Sequence, residues 1–348
     1  VVITDDEDAT SGIITVMGPA MVSFHCTASA IGGGTWSESL PVWTFGDPTG
    51  RYNTLRGFSA AHFWDIEPEE NTDYTVRCTL TNVNGETAYA ERTVRLTPNT
   101  RRIVYIDPDD GVASPADPTN PATPYGTIAS AVTGESNGSG LEYRFTAGKT
   151  HIWGDEVGGA GGKSNIICRS TIQGTKFTVN PTVDACMRYN NQGLLRDVYF
   201  SVGNRGSNTR MIEPRSSGTT IRLCVLDCVS IDPEVSICIG SAWVAGEDGS
   251  KSVLIQDTTA SETYATIFFS GPMMTFLGVS CTHSGSERPW RGAGHHIMLY
   301  QCYGRYTASN GKTAITRHGG DFFWVSECEF DSRDASAALT TVGLGHSS

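Results

Sequence analysis

No stretch of this 348-residue chain approaches the roughly 18 consecutive apolar residues needed to cross a bilayer. Its first residues, VVITDDEDATSG, lack a basic-then-apolar leader, so the start is read as that of a mature or trimmed product. Cations are scarce too: 25 Lys and Arg stand against 37 Asp and Glu, for a net charge of -12. Such a balance excludes broad binding to nucleic acid or anionic membrane, because phosphate contact needs a basic surface. An anionic ligand must then meet a local cluster of Arg, Lys or His. The chain has no Ser-centred elbow, Gly-rich phosphate loop or His-Glu zinc helix. Nor is any cysteine spacing a zinc motif: CVLDC (224–228) alternates on a strand and lacks a second pair.

What is abundant is turn chemistry. The 39 glycines, with many Ser, Thr and Asn, predict an all-β chain. A boundary falls near Pro98. Before it, residues 20–30, 40–47, 59–67, 73–88 and 90–98 read as strands at the spacing of a β-sandwich. Tyr74, Val76, Cys78 and Leu80 share one face by the two-residue period, as do Val22, Phe24 and Cys26. Both thiols should point inward from facing sheets, and a Cys26–Cys78 disulfide is expected, which places the protein in an oxidising compartment. VWTFGD (42–47) followed by YTVRCTLTNVNGETA (74–88) resembles the PKD type of immunoglobulin-like domain over roughly residues 10–98, although Arg51 to Asp65 departs from a compact version. The resemblance implies a spacer or adhesive module in an extracellular setting, within a domain of residues 1–98.

After the boundary, LLRDVYFSV (194–202), IRLCVLDCV (221–229), VLIQDTTAS (253–261), TFLGVSCTH (275–283), IMLYQCYGR (297–305) and FWVSECEFD (323–331) lie beneath one another as six strands. Shorter strands with Gly- or Ser-containing corners precede several of them. A unit of this size cannot bury its own apolar face, whereas stacked copies can, and periods of roughly 20 to 50 residues signal a solenoid. Residues 99–348 are therefore expected to form a right-handed parallel β-helix, with a rung about every 4.8 Å. The opening, RRIVYIDPDDGVASPADPTNPATPYGTIASAV (101–132), resembles the entrance of secreted β-helix proteins: a first strand, an Asp/Pro/Gly-rich loop, then a short capping helix in TPYGTIASAV. Polysaccharide lyases, glycoside hydrolases, adhesins and phage tailspikes share this organisation, so the likeness implies fold more than activity. Cys228, Cys281, Cys302 and Cys328 are placed at similar points of their strands, a ladder of small buried side chains.

A groove along such a rod suits linear polysaccharide. The densest cationic and aromatic patch is RPWRGAGHH (288–296), with Arg215 and Arg317 in one column on flanking coils and His283 leaving the coil before. The expected substrate-binding residues are Arg215, Arg288, Trp290 and Arg291, with Trp290 stacking on a sugar. The expected catalytic residues are His318, Arg317 and His295: Arg neutralises a uronate carboxylate, and a base then removes the adjacent proton in a β-elimination. A hydrolase would instead use two carboxylates about 5 to 10 Å apart. Asp321, Glu327, Glu329, Asp331 and Asp334 are its candidates, with Glu213 and Asp227 farther up; Glu327, Glu329 and Asp331 are expected on one strand face. No cofactor is expected. Calcium, which that triad or the loop DPDDG (107–111) would hold, stays unassigned beside plain turn chemistry. The ending, AALTTVGLG (337–345), reads as half of another coil, to be completed by a cap, by chain beyond Ser348 or by a neighbouring subunit, for example in a homotrimer. Two functions remain open: an extracellular carbohydrate-active protein that binds and cleaves acidic polysaccharide or cell-surface glycan, and a non-enzymatic structural or adhesive protein of a cell or virion surface.

Overall fold

The protein is described from a computed structural model. The structure describes residues 1–7, 9–27, 41–135, 140–157, 165–183, 185–189, 192–200, 209–214, 222–230, 235–238, 252–262, 267–270, 273–283, 290–293, 296–306, 315–317 and 322–332. They are almost entirely β, with one helix, Ile128–Gly134.

Two sheets occupy the first hundred residues. One has three antiparallel strands, Val2–Asp5, Ala20–Thr27 and Ser59–Trp64, with Ala20–Thr27 in the middle. The other orders Ile13–Met17, Thr87–Thr97, Thr72–Thr81, Val42–Thr44 and Thr54–Arg56. Alternation explains the packing between them: Tyr74, Val76, Cys78 and Leu80 are buried while the intervening Thr75 and Arg77 are exposed. Trp43, Phe45, Phe24 and Trp64 fill the space between, and the Trp43 indole N–H donates to the Gly57 carbonyl at 2.8 Å. Cys26 and Cys78 do lie on facing sheets with their side chains in hydrogen-bonding contact. They are free thiols in this structure, not the expected cystine. Asp47, in the turn FGDPTG, accepts from the backbone of Thr49 and Gly50 and meets the His62 ring at 3.1 Å, both side chains buried.

From residue 102 onward the strands return in turn to three parallel sheets of nine, eight and six strands among the described residues. Each strand of the nine-stranded sheet pairs with the one from the next turn of chain, as in Arg222–Leu226 with Ser252–Gln256 and Ser252–Gln256 with Met273–Leu277. The stretches expected as six single strands are each two, belonging to different sheets. The break falls on one residue held in the left-handed region: Asp197, Asp227, Asp257, Gln301 and Glu327 have φ of 48° to 57°, and Gly278 has 60°. Asp, Gln and Glu there accept a conformation most residues avoid. Their backbone N–H groups bond up the stack, Asp197 to Leu226, Asp227 to Gln256 and Asp257 to Leu277. Each corner thus supports the next.

This corner corrects two expectations. The inward position after it holds Cys228, Thr258, Val279, Cys302 and Cys328, by the register of the strands that follow. Cys281 lies two residues farther, level with Ala260 and Gly304. Glu327 is the corner residue itself, so it does not share a strand face with Glu329 and Asp331, which lie in Glu329–Ser332.

The short helix expected near the entrance packs Ile128 and Ala131 into the apolar interior, and Thr127 caps it by accepting from the Ser130 backbone. The other face of the nine-stranded sheet is covered as well. Ile167, Leu194, Cys224, Leu254, Leu277 and Met298 belong to one continuous buried cluster with the N-terminal core. Burial on both faces explains why SVLIQ and MMTFL are apolar without alternation. Polar clamps fasten the contact: Arg222 holds Asp6 through bonds of 2.8 and 2.7 Å, the Ser23 and Ser252 hydroxyls meet at 2.5 Å, and the His25 and His296 rings stack at 4.8 Å. Arg51 reaches Asp257 at 2.7 Å and Asp227 at 3.2 Å, while the Tyr52 hydroxyl donates to Asp257 at 2.9 Å. Arg51 and Tyr52 thus grip the corner column.

Candidate functional site: an arginine column in a polar cleft

Beyond the covered part of the sheet, the outward face changes character. Tyr105, Arg144 and Arg169 stand opposite one another on the strands Arg102–Ile106, Leu141–Phe145 and Ile166–Ser170. Arg196 follows in the same column, one residue past the Cys168–Leu195 pair. Parallel in-register pairing is what stacks these side chains, because a residue's partner on the next strand points to the same face. Adjacent rungs set one guanidinium about every 4.8 Å. Side-chain exposure rises along the column from 7% at Arg196 to 14% at Arg169 and 21% at Arg144, so it opens toward Tyr105. The Arg144 guanidinium lies 6.0 Å from the Tyr105 ring.

The three arginines line a cleft of about 220 Å³ with Glu67, Ser170, Thr171, Gln173 and Asp197. Beneath it, fully buried Glu142 accepts from Arg144 at 2.6 Å, from Arg169 at 2.7 Å and from Asn99 at 2.7 Å. Burial pushes its carboxyl up, but Arg169 and Arg144 outweigh this and hold it below the usual carboxylate range. At the rim, Glu67 bonds Arg169 and lies 3.7 Å from Arg144, while Asp65 bonds Arg196 and accepts from Gln173 at 2.8 Å. Asp197 differs from these acids. Its carboxylate accepts the Gly174 N–H at 3.2 Å and lies 3.5 Å from Arg196, yet its second oxygen is buried without a hydrogen-bond partner. Burial raises its pKa. A concave site with stacked guanidinium groups, one aromatic ring and a perturbed carboxyl is suited to recognising an anionic, hydroxyl-rich ligand.

Of the residues expected from sequence, those that the structure describes lie elsewhere. Trp290 and Arg291 are in the strand Trp290–Ala293 and Arg317 in Ile315–Arg317, neighbours in the six-stranded sheet, with Arg317 opposite Gly292 and Arg291 opposite Thr316. His318, His295, Arg215 and Arg288 lie outside the described residues, as do Asp321 and Asp334. Glu213 is opposite Arg188, and Asp227 is a corner residue bonded to Arg51. Asp107 of DPDDG accepts from the backbone of Asp109 and Asp110 and from Lys149 at 2.8 Å, so turn chemistry and a lysine satisfy it. Among the described residues, no group of three or more His, Cys, Asp or Glu is arranged to hold a metal ion.

Sequence reasoning missed the arginine column. Its signal is an Arg near the end of each of three strands, LEYRF, IICRS and QGLLR. Compared with protein-family models, curated proteins and solved structures, the chain matches none.

Proposed function

We propose that the protein is an extracellular glycan-binding rod, in which a PKD/immunoglobulin-like sandwich braces a right-handed parallel β-helix that receives a linear anionic polysaccharide. The cyclic return of strands to three parallel sheets supports the winding, and the shared apolar cluster supports bracing. The observation that carries the binding reading is the column Tyr105, Arg144, Arg169 and Arg196 on successive strands. A polymer lying along the stacking direction meets a cation at each rung, and bidentate guanidinium contacts favour carboxylate or sulfate. Tyr105 offers a face for a sugar ring.

The test is affinity electrophoresis against uronate-bearing, sulfated and neutral polysaccharides, with ultraviolet absorbance of unsaturated uronate ends followed in parallel. Retardation by anionic polymers, weakening with salt and reduced in Arg144→Gln, is the expected result; Glu142 keeps Arg169 and Asn99 in that variant. A rise in absorbance would add β-elimination, and His318, Arg317 and His295 would then be the first residues to replace. Equal retardation by neutral polymers, or none by any, would overturn the reading. A structural or adhesive surface protein is the second reading, favoured by the clamps that fasten the N-terminal sheets across several strands of the nine-stranded sheet.

A further inference from the structure

We propose that the segment Asp65–Glu67 is a built-in occupant of the arginine column, which a polyanionic ligand must displace. This rests on the anionic-glycan reading and adds how the site selects among anions.

The segment leaves the strand Ser59–Trp64 and crosses the cleft without joining a sheet. Ile66 packs into the buried cluster and anchors it, while the two flanking acids turn to the arginines. Asp65 takes Arg196, and Glu67 takes Arg169 and approaches Arg144. In extended chain, alternate residues are about 6.8 Å apart, so two carboxylates serve three guanidinium groups that recur about every 4.8 Å. The segment therefore under-fills the column. Its acids are also partly exposed, 31% at Asp65 and 37% at Glu67, unlike Glu142 beneath them at 0%. Glu142 is the fixed counter-charge of Arg144 and Arg169, and Asp197 and Asp227 lie 3.5 and 3.7 Å from Arg196; Asp65 and Glu67, whose carboxylates reach solvent, are the exchangeable ones.

Two consequences follow for ligand choice. A single uronate competes against a tethered carboxylate whose effective concentration is high, and is excluded. A polymer that presents an acid on successive sugar units engages all three arginines at once and exchanges for the segment. The column thus takes long, densely charged chains and rejects isolated acids.

The experiment compares the wild-type protein with Glu67→Gln and with Asp65→Asn/Glu67→Gln, titrated with a polyuronate and with monomeric glucuronate. The expected result is roughly tenfold tighter polyuronate binding by the double variant, from removing two rim pairs, and measurable monomer binding that the wild type lacks. Glu67→Gln alone keeps an amide at the rim and should show an intermediate gain with an unchanged melting temperature. Unchanged or weaker polyuronate binding in both variants, while Arg144→Gln still reduces it, would refute the occupant and leave the glycan reading standing. No polyuronate binding by any of the proteins would refute both.

Discussion

Replacing Arg222 by Met should be among the most damaging single changes at the contact between the N-terminal sheets and the nine-stranded sheet. The Arg222 side chain is 6% exposed and its partner Asp6 0%. Two bonds to Asp6 and a third to Glu7 at 3.1 Å satisfy the guanidinium, and the Ser23 N–H at 3.4 Å is a weak further donor to Asp6. Methionine fills most of the volume but leaves the Asp6 carboxylate buried with that one long bond. Removing one partner of a buried pair costs about 3–5 kcal/mol, a shift of roughly a hundred- to a few-thousand-fold in the folding equilibrium. The double variant Asp6→Asn/Arg222→Met removes the stranded charge and should be more stable than Arg222→Met alone. Urea is the denaturant of choice, since guanidinium is itself a salt that screens ion pairs. The assay is urea unfolding followed by tryptophan emission, closed as a double-mutant cycle. A loss below about 1 kcal/mol in Arg222→Met, or a double variant no more stable than that single one, would refute the argument from a desolvated pair.

Three further outcomes follow from other parts of the molecule. Acid should destabilise the N-terminal core in two stages. His62, lowered by burial, favours its neutral form, so stability begins to fall as pH drops below the ordinary histidine range; Asp47, lowered by its His62 and Thr49 bonds, contributes stability above the ordinary carboxylate range that is lost as pH falls through its depressed value. His62→Gln should remove the first stage from a plot of urea midpoint against pH, and persistence of that stage would contradict the assignment. Among the nine cysteines whose side chains are described, Cys328 is the half-buried one, and the Cys302 thiol hydrogen bond lowers its pKa to about 7; peptide mapping after brief iodoacetamide treatment should find it alkylated before Cys302. Gly278→Ala should cost more than Gly174→Ala. Both glycines have positive φ, so each change pays about 1–2 kcal/mol of left-handed strain, but only at Gly278 would the new methyl overlap the Tyr52 hydroxyl and Asp257. Equal urea midpoints for the two variants would show that the Tyr52–Asp257 contact is not a constraint.

Much of the β architecture was legible because the pattern repeats. The column of Asp227, Asp257, Gly278, Gln301 and Glu327 was visible in the aligned stretches, yet without φ it looked like the middle of a strand. A corner of one residue shifts the inward register, which is why Cys281 and Glu327 were misplaced. Inward thiols at Cys26 and Cys78 were legible from alternation, whereas their bonding state was not. Contacts such as Asp6 with Arg222 and Arg51 with Asp257 join residues about two hundred apart, and nothing periodic announces them. The arginine column escaped for a different reason: the cation-rich stretch 288–296 drew attention by density along the chain, while Arg144, Arg169 and Arg196 are dense only across it.

The left-handed corner also divides the surface into parts with different freedom to change. From Asp197 onward, whether a turn of chain is as long as Asp227 to Asp257 or as short as Asp257 to Gly278, the step from the nine-stranded sheet to the eight-stranded one pivots on a single left-handed residue, whereas the two earlier steps span residues 146–149 and 171–176. In those later turns the variation in length therefore falls on the other two connections. An inserted loop there leaves the spine in register, whereas one residue added at the corner would break its bonds to the corner above and below. From Asp197 onward the stacked strands can consequently accept new loops, by evolution or by grafting, at two connections while the one gripped by Arg51 and Tyr52 stays constant.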